Sequence, residues 1–289
     1  MIKDFRRSLA RYDFLISVLE TITEGLELSL IDNKNWFAFG PRIARKFLNQ
    51  AYSLRLSFFP RDIEYLAKQG IHNDDVSSML TLLRMQFETH AIFYHFFIPC
   101  NDIEENILRF RLWELDGMRS RLTLSMKEPN SSEDDLINWT YLNIQRVEES
   151  IKSLRYFQSL PQKQQDELLK RSLWKFSSTS LLETDKSKWS NSYSKMILTA
   201  GLKEEFHKNL YTYLSMHTHP HYIGVIQNKI SVEEIEIMRY VSITQSCFVT
   251  AFLIEDLSKR FVEPKRYISN LAEEQLLIFR SIITAGRNN

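Results

Sequence analysis

Glycine is scarce in this chain, 7 of 289 residues, about a third of its usual share of roughly 7%. Proline is also limited to 7 residues. Sandwiches and barrels need a turn former at nearly every reversal, so this shortage argues against an all-β architecture. Cysteine is rarer still. Cys100 and Cys247 lie far apart in apolar surroundings and read as buried thiols, not as a disulfide framework or zinc knuckle. Charge of one sign is missing too: 37 basic residues face 36 acidic ones, and no long single-sign run occurs. That balance argues against a dedicated duplex-DNA binder.

No apolar signal-peptide core follows the charged N-terminus. Towards the C-terminus, the longest stretch without a formal charge runs from Tyr240 to Ile254, short of the roughly 20 residues a membrane span needs. The expectation is a soluble, cytoplasmic protein with no membrane partner.

What the chain does have is apolar and aromatic material, 44% and 12% of its residues, laid out with helical periodicity. Phe5, Leu9, Tyr12, Ile16, Leu19, Thr23, Leu26 and Leu30 recur at three- and four-residue steps over residues 3–30. Further helices are predicted over 41–58, 60–70, 75–98, 102–126 and from about 130 to Ser159, with capping boxes at Asn101/Glu104 and Ser231/Glu234. A short polar helix should follow Pro161. Residues 175–190, rich in Ser, Thr and Lys, read as the longest loop and the best candidate for a mobile segment. Helices 189–200, 204–218, one reaching Phe261, and a last one from Pro264 to Thr284 complete the chain, with 285–289 expected to fray. No strand pattern of comparable length competes. The chain therefore reads as an all-α multi-helix bundle of about nine to eleven helices without significant β-sheet. Residues 1–72 form an N-terminal helical extension on a core of 73–289 in this reading.

Chemistry concentrates in Tyr211-Thr-Tyr-Leu-Ser-Met-His-Thr-His-Pro-His221. His207, Tyr211, Ser215 and His219 repeat every four residues, so a helix stacks them as one polar ladder, and Pro220 closes that helix. One reading takes His217, His219 and His221 as a metal triad on extended backbone, although Pro220 interrupts it and no carboxylate lies nearby. A second pairs the Ser215 hydroxyl with the His219 imidazole as nucleophile and acid–base. A third needs no chemistry: His side chains cap the last helical carbonyls. No Gly-rich phosphate loop or other cofactor motif occurs, and none is expected.

The 75–98 helix is apolar over most of its circumference, yet Ser77, Thr81, Arg84, Glu88 and His95 share a narrow polar stripe. Arg84 precedes Glu88, the less favourable order for an i,i+4 pair. The stripe either faces water or lines an internal cleft.

Leu82-Leu-Arg-Met-Gln-Phe-Glu-Thr89 resembles the Leu-Leu-Arg-x-x-x-Glu helix of an uncharacterised, mostly bacterial all-helical family. Tyr211-x-x-Leu-Ser-x-x-x-His-Pro220 resembles its second signature, and the similarity spans about residues 75–262. It implies a helical fold and candidate positions more than an activity. A looser similarity is to HEPN domains, helical bundles that often act as metal-independent RNases in toxin and phage-defence systems. Arg84 and His90 meet their Arg-to-His spacing. Met85 stands where a polar residue is usual, however, and the two side chains point about 120° apart on a helix, so the RNase chemistry is not carried over.

Together these readings unite Arg84, Glu88, Tyr211, Ser215 and His219 in one pocket. Arg84 would hold a phosphate or carboxylate, with Tyr211 and His95 as further ligand-binding groups. His219 with Ser215 and Glu88 would serve any catalysis. RNA or a nucleotide is the expected partner and defence the expected setting, with homo-oligomerisation left open. The alternative is a non-catalytic interaction or scaffold protein in which the same residues pin helices together.

Overall fold

The computed structural model describes residues 2–29, 36–58, 76–98, 102–125, 131–207, 209–218 and 232–288. Its helices are α1 (Ile2–Ser29), α2 (Phe39–Ser57), α3 (Val76–Phe97), α4 (Ile103–Ser125), α5 (Ser131–Lys152), α6 (Arg155–Ser159) and α7 (Gln162–Arg171). They continue with α8 (Tyr193–Thr199), α9 (Glu204–His207), α10 (Leu210–Thr218), α11 (Val232–Arg260), α12 (Val262–Ser269) and α13 (Glu273–Gly286). Among the described residues no strand forms; the one isolated β-bridge there joins Leu202 to Arg287. The protein is an all-α helical bundle.

The helices cluster in two compact units, one made of residues 1–94 and 193–289 and the other of 95–192. The boundary falls inside α3, and the segment 1–72 lies wholly within the first unit. In that unit α1 packs along α11 and α2. The core is continuous: Tyr12, Leu15, Leu19, Phe47, Leu54, Val249 and Leu257 are fully enclosed. Burying each such side chain stabilises the fold by about 1.5–3 kcal/mol before entropy is counted. The Tyr12 hydroxyl ties three helices, donating to the Ala51 carbonyl at 3.3 Å and accepting from Gln86 Nε2 at 2.9 Å.

Helix α11 is long and apolar enough, by length and composition, to cross a membrane. However, 67% of its most apolar window is buried inside the fold, as a core helix requires. Cys247 on this helix is the buried thiol the sequence suggests, and burial pushes its pKa up to about 12.

In the second unit α4 packs on α5 and α6. Phe96, Phe110, Trp113 and Trp174 cluster with ring centres 5.3–5.9 Å apart. Trp174 and Trp189 are buried, whereas Trp139 is 51% exposed.

Several boundaries depart from the periodicity for local reasons. The helix expected to reach Ser159 breaks at Leu154, whose extended backbone restarts the chain as α6. Glu104, expected in a capping box, instead accepts the Tyr156 N–H at 2.8 Å and pairs with Arg155, while Asp102 Oδ1 takes the Glu104 N–H at 2.9 Å. The last helix is two, because Asn270 ends α12 and Gln275 reaches back to the Ala272 N–H to start α13. Segment 175–190 is not a free loop: Ser180 Oγ donates to the Trp189 carbonyl at 2.8 Å and Ser178 Oγ to Glu105 Oε2 at 2.7 Å. The helix expected over 60–70, Cys100, Asn101 and Ser231 lie outside the described residues.

Residues 285–288 do not fray. Lys203 N donates to the Gly286 carbonyl and Asn288 N to the Gly201 carbonyl, which brings Arg287 inward until 8% of it is exposed. Gly201 makes the turn at φ 98°, and a Cβ there would come 2.8 Å from Arg287 Nε. Gly201→Ala is therefore expected to destabilise the fold by about 1–3 kcal/mol. Thermal unfolding measures this, and an unchanged midpoint would contradict the tight approach.

Candidate functional site

The polar stripe of α3 is half-buried, and its partner is α10. Arg84 Nε donates to Glu88 Oε1 at 2.8 Å, and the two side chains are only 17% and 23% exposed. Tyr211 of α10 closes the triangle: its hydroxyl donates to Glu88 Oε1 at 2.7 Å and accepts from Arg84 Nη2 at 3.3 Å. The guanidinium carbon also lies 5.2 Å from the Tyr211 ring centre, within cation–π range. Further along, His217 Nδ1 is 3.4 Å from Ser77 Oγ. Because Tyr211 meets residues 84 and 88 while His217 meets residue 77, α10 runs antiparallel to α3. Asn209 prepares this approach with a left-handed backbone, φ 68°, a conformation asparagine tolerates better than most residues.

The electrostatics follow from burial against one carboxylate. Burial works against the charge on Arg84, but Glu88 overrides it and holds the guanidinium pKa above its ordinary value. Burial, and then the Glu88 carboxylate, push the Tyr211 hydroxyl up to about 12. Both residues thus keep their ordinary protonation at neutral pH: a cation and a neutral hydroxyl donor. Arg84 Nη1 is buried and has no hydrogen-bond partner among the described residues. A guanidinium nitrogen without an acceptor at this depth is costly unless something else takes its protons.

Of the residues singled out in the sequence, Arg84, Glu88 and Tyr211 come together. Ser215 lies one turn along α10 from Tyr211, but its hydroxyl donates to the Tyr211 carbonyl at 2.9 Å, the ordinary use of a helical serine. His95 belongs to the second unit, where its Nε2 is 2.9 Å from the Trp174 carbonyl and burial, aided by Arg109, lowers its pKa to about 3. His219 and His221 lie outside the described residues. His217, named in the sequence only as one of the candidate metal triad, is 9% exposed and packs 4.7 Å from the Tyr213 ring. Among the described residues no three His, Cys, Asp or Glu side chains gather as metal ligands would.

A second polar cluster was not anticipated. His90 Nε2 is 2.9 Å from Asp256 Oδ2, and Arg287 Nη2 lies 2.8 and 2.9 Å from the two oxygens of the same carboxylate. Arg287 also donates to Glu255 Oε2 and, at 3.1 Å, to the Ala200 carbonyl. Asp256 is fully buried and His90 is 2% exposed. The signal was present: Asp256 stands in register with the apolar face of α11, where a charge needs a partner. That partner sits in a tail expected to fray.

None of the protein families, curated proteins or solved structures compared with this chain matches it.

Proposed function

We propose that this is a helical binding protein whose Arg84 receives a phosphate group of RNA or a nucleotide. The observation that carries this reading is the buried Nη1, unpartnered among the described residues, of an arginine whose Nε and Nη2 are already held by Glu88 and Tyr211. Glu88 and Tyr211 orient the fork, and the leftover edge supplies charge-assisted hydrogen bonds to an oxyanion. A hydrolytic step would need more than this. Glu88 and Tyr211 offer acid–base groups, while the Ser215 hydroxyl is engaged in its own helix and would have to be freed for attack. A defence role rests on the HEPN-like similarity alone.

One observation favours a second reading. The Arg84–Glu88–Tyr211 triangle and the Ser77–His217 contact fasten α10 to α3 at two points, as a scaffold pin would. Fluorescence anisotropy with a labelled single-stranded RNA separates the two. The binding reading expects Arg84→Lys to weaken RNA binding at least ~10-fold, since lysine lacks the planar fork, with thermal unfolding little changed. Tyr211→Phe is expected to cost about 1–2 kcal/mol of stability by leaving Glu88 and Arg84 short of a bond. Equal RNA binding by wild type and Arg84→Lys, together with a lowered melting temperature in both variants, would favour the pin and sink the binding reading.

A further inference from the structure

A concavity opens in the first unit between α2 and α3, lined on α3 by Leu82 and Met85. Its volume is about 450 Å³, and Arg42, Lys46, Gln50, Leu82 and Met85 contribute to its lining. Volumes of roughly 300–1,000 Å³ are typical of small-molecule sites. Arg42, Lys46 and Asn49 recur at three- and four-residue steps, so one face of α2 presents them together.

Gln50 is the decisive residue. It is only 6% exposed, yet neither its Nε2 nor its Oε1 has a hydrogen-bond partner among the described residues. Leaving both ends of a buried amide unpaired is costly, and native folds seldom retain such a group without use. The two ends need opposite partners, an acceptor for the NH2 and a donor for the carbonyl. A bare anion satisfies only the first. A planar heterocycle carrying a donor beside an acceptor satisfies both, as glutamine does when it reads the edge of a base.

The surroundings supply the remainder. Leu82 is half-buried and Met85 is 39% exposed, giving a soft apolar wall suited to a ring face. The third lining cation, Arg45, is committed, because Glu27 takes its fork at 3.0 and 2.7 Å. Arg42 lies 4.8 Å over the Phe39 ring with its side chain exposed, and Lys46 is exposed beside it. These two cations are placed for a phosphate at the mouth of the cavity.

We propose that the α2–α3 cavity is a binding site for a nucleoside phosphate, with Gln50 reading the base edge and Arg42 and Lys46 holding the phosphate. This site is independent of Arg84. Isothermal titration with AMP, GMP, CMP and UMP, and with inorganic pyrophosphate as the base-free probe, tests it. At least one nucleotide should bind at least ~10-fold more tightly than pyrophosphate. Gln50→Leu should remove that preference while leaving pyrophosphate binding in place. The surface variant Arg42→Glu with Lys46→Glu should weaken both at this cavity at least ~10-fold, any heat that remains being that of the intact Arg84 site. Circular dichroism checks that each variant is folded, and the surface pair keeps the test usable if Gln50→Leu is not. Pyrophosphate binding as tightly as every nucleotide would overturn the proposal. So would the absence of nucleotide binding, or nucleotide binding unaffected by the folded variants. Because Arg84 is intact in every variant, a loss seen in them belongs to this cavity.

Discussion

Asp256→Ala is expected to destabilise the protein by about 3–5 kcal/mol, towards the lower end because Glu255 still faces Arg287. Asp256 is fully buried and accepts from both His90 and Arg287, with Lys259 Nζ 3.4 Å away. Truncation leaves a guanidinium at 8% exposure without its principal counter-charge. It also leaves the His90 N–H without an acceptor. In thermal unfolding this corresponds to a fall of roughly 10 °C. The companion experiment replaces both charges, Asp256→Leu with Arg287→Met. Removing a buried pair together costs far less than orphaning one member, so the double variant should recover much of the loss. A single variant melting with the wild type would show that the network contributes nothing.

Acid should unfold the protein through its buried histidines before its carboxylates titrate. Burial lowers the pKa of His90 below its ordinary 6.5 despite the opposing hydrogen bond to Asp256, and it lowers His95 to about 3. A histidine that binds its proton less well when folded adds stability that is complete above about pH 6.5. That stability drains away as the pH falls below this value, because the unfolded chain takes up the proton first. The slope is about 1.4 kcal/mol per pH unit for each histidine. Asp256 acts in the same direction lower down. Its carboxyl is destabilised as an ion by burial, but His90 and Arg287 outweigh that and hold it below 3.8, so its contribution is lost only under stronger acid. Urea unfolding at pH 7.5 and pH 5 measures the effect. Wild type should lose stability over that interval, and His90→Asn and His95→Asn should each flatten the loss, whatever they do to stability at pH 7.5. A flat wild-type profile would contradict the burial of neutral imidazoles.

The helices were legible because apolar spacing is a local property. The periodicity of Tyr12, Ile16 and Leu19, or of Met79, Leu83 and Phe87, is printed in the sequence, and packing follows it. The Arg84–Glu88 pair was legible for a related reason: polar residues on an otherwise apolar helix must meet something, and the unfavourable order of the pair argued against a simple surface role. Tyr211 was found through its four-residue ladder. His217 was not ranked as the contact residue, because the rotation of α10 against α3 is decided by tertiary packing, not by spacing along one helix. Leu154 was missed because the break depends on Glu104 capturing the Tyr156 N–H from a helix some fifty residues away. Arg287 was missed because a tail docks only when a distant turn, here at Gly201, makes room for it. Gln50 carried no sequence signal at all, since an amide on an amphipathic helix looks solvated until its neighbours enclose it.

We propose that Arg84 receives a phosphate through the Nη1 edge that Glu88 and Tyr211 leave without a hydrogen bond among the described residues. The most direct measurement observes that guanidinium itself, following its Nε–Hε resonance in a protein labelled with ¹⁵N-arginine while a short single-stranded RNA is titrated in. Arg84→Lys assigns the resonance by its disappearance. The account predicts a saturable shift of the Arg84 signal that tracks the binding curve and is reversed by added salt. An Arg84 resonance that stays in place while RNA saturates the protein would contradict it.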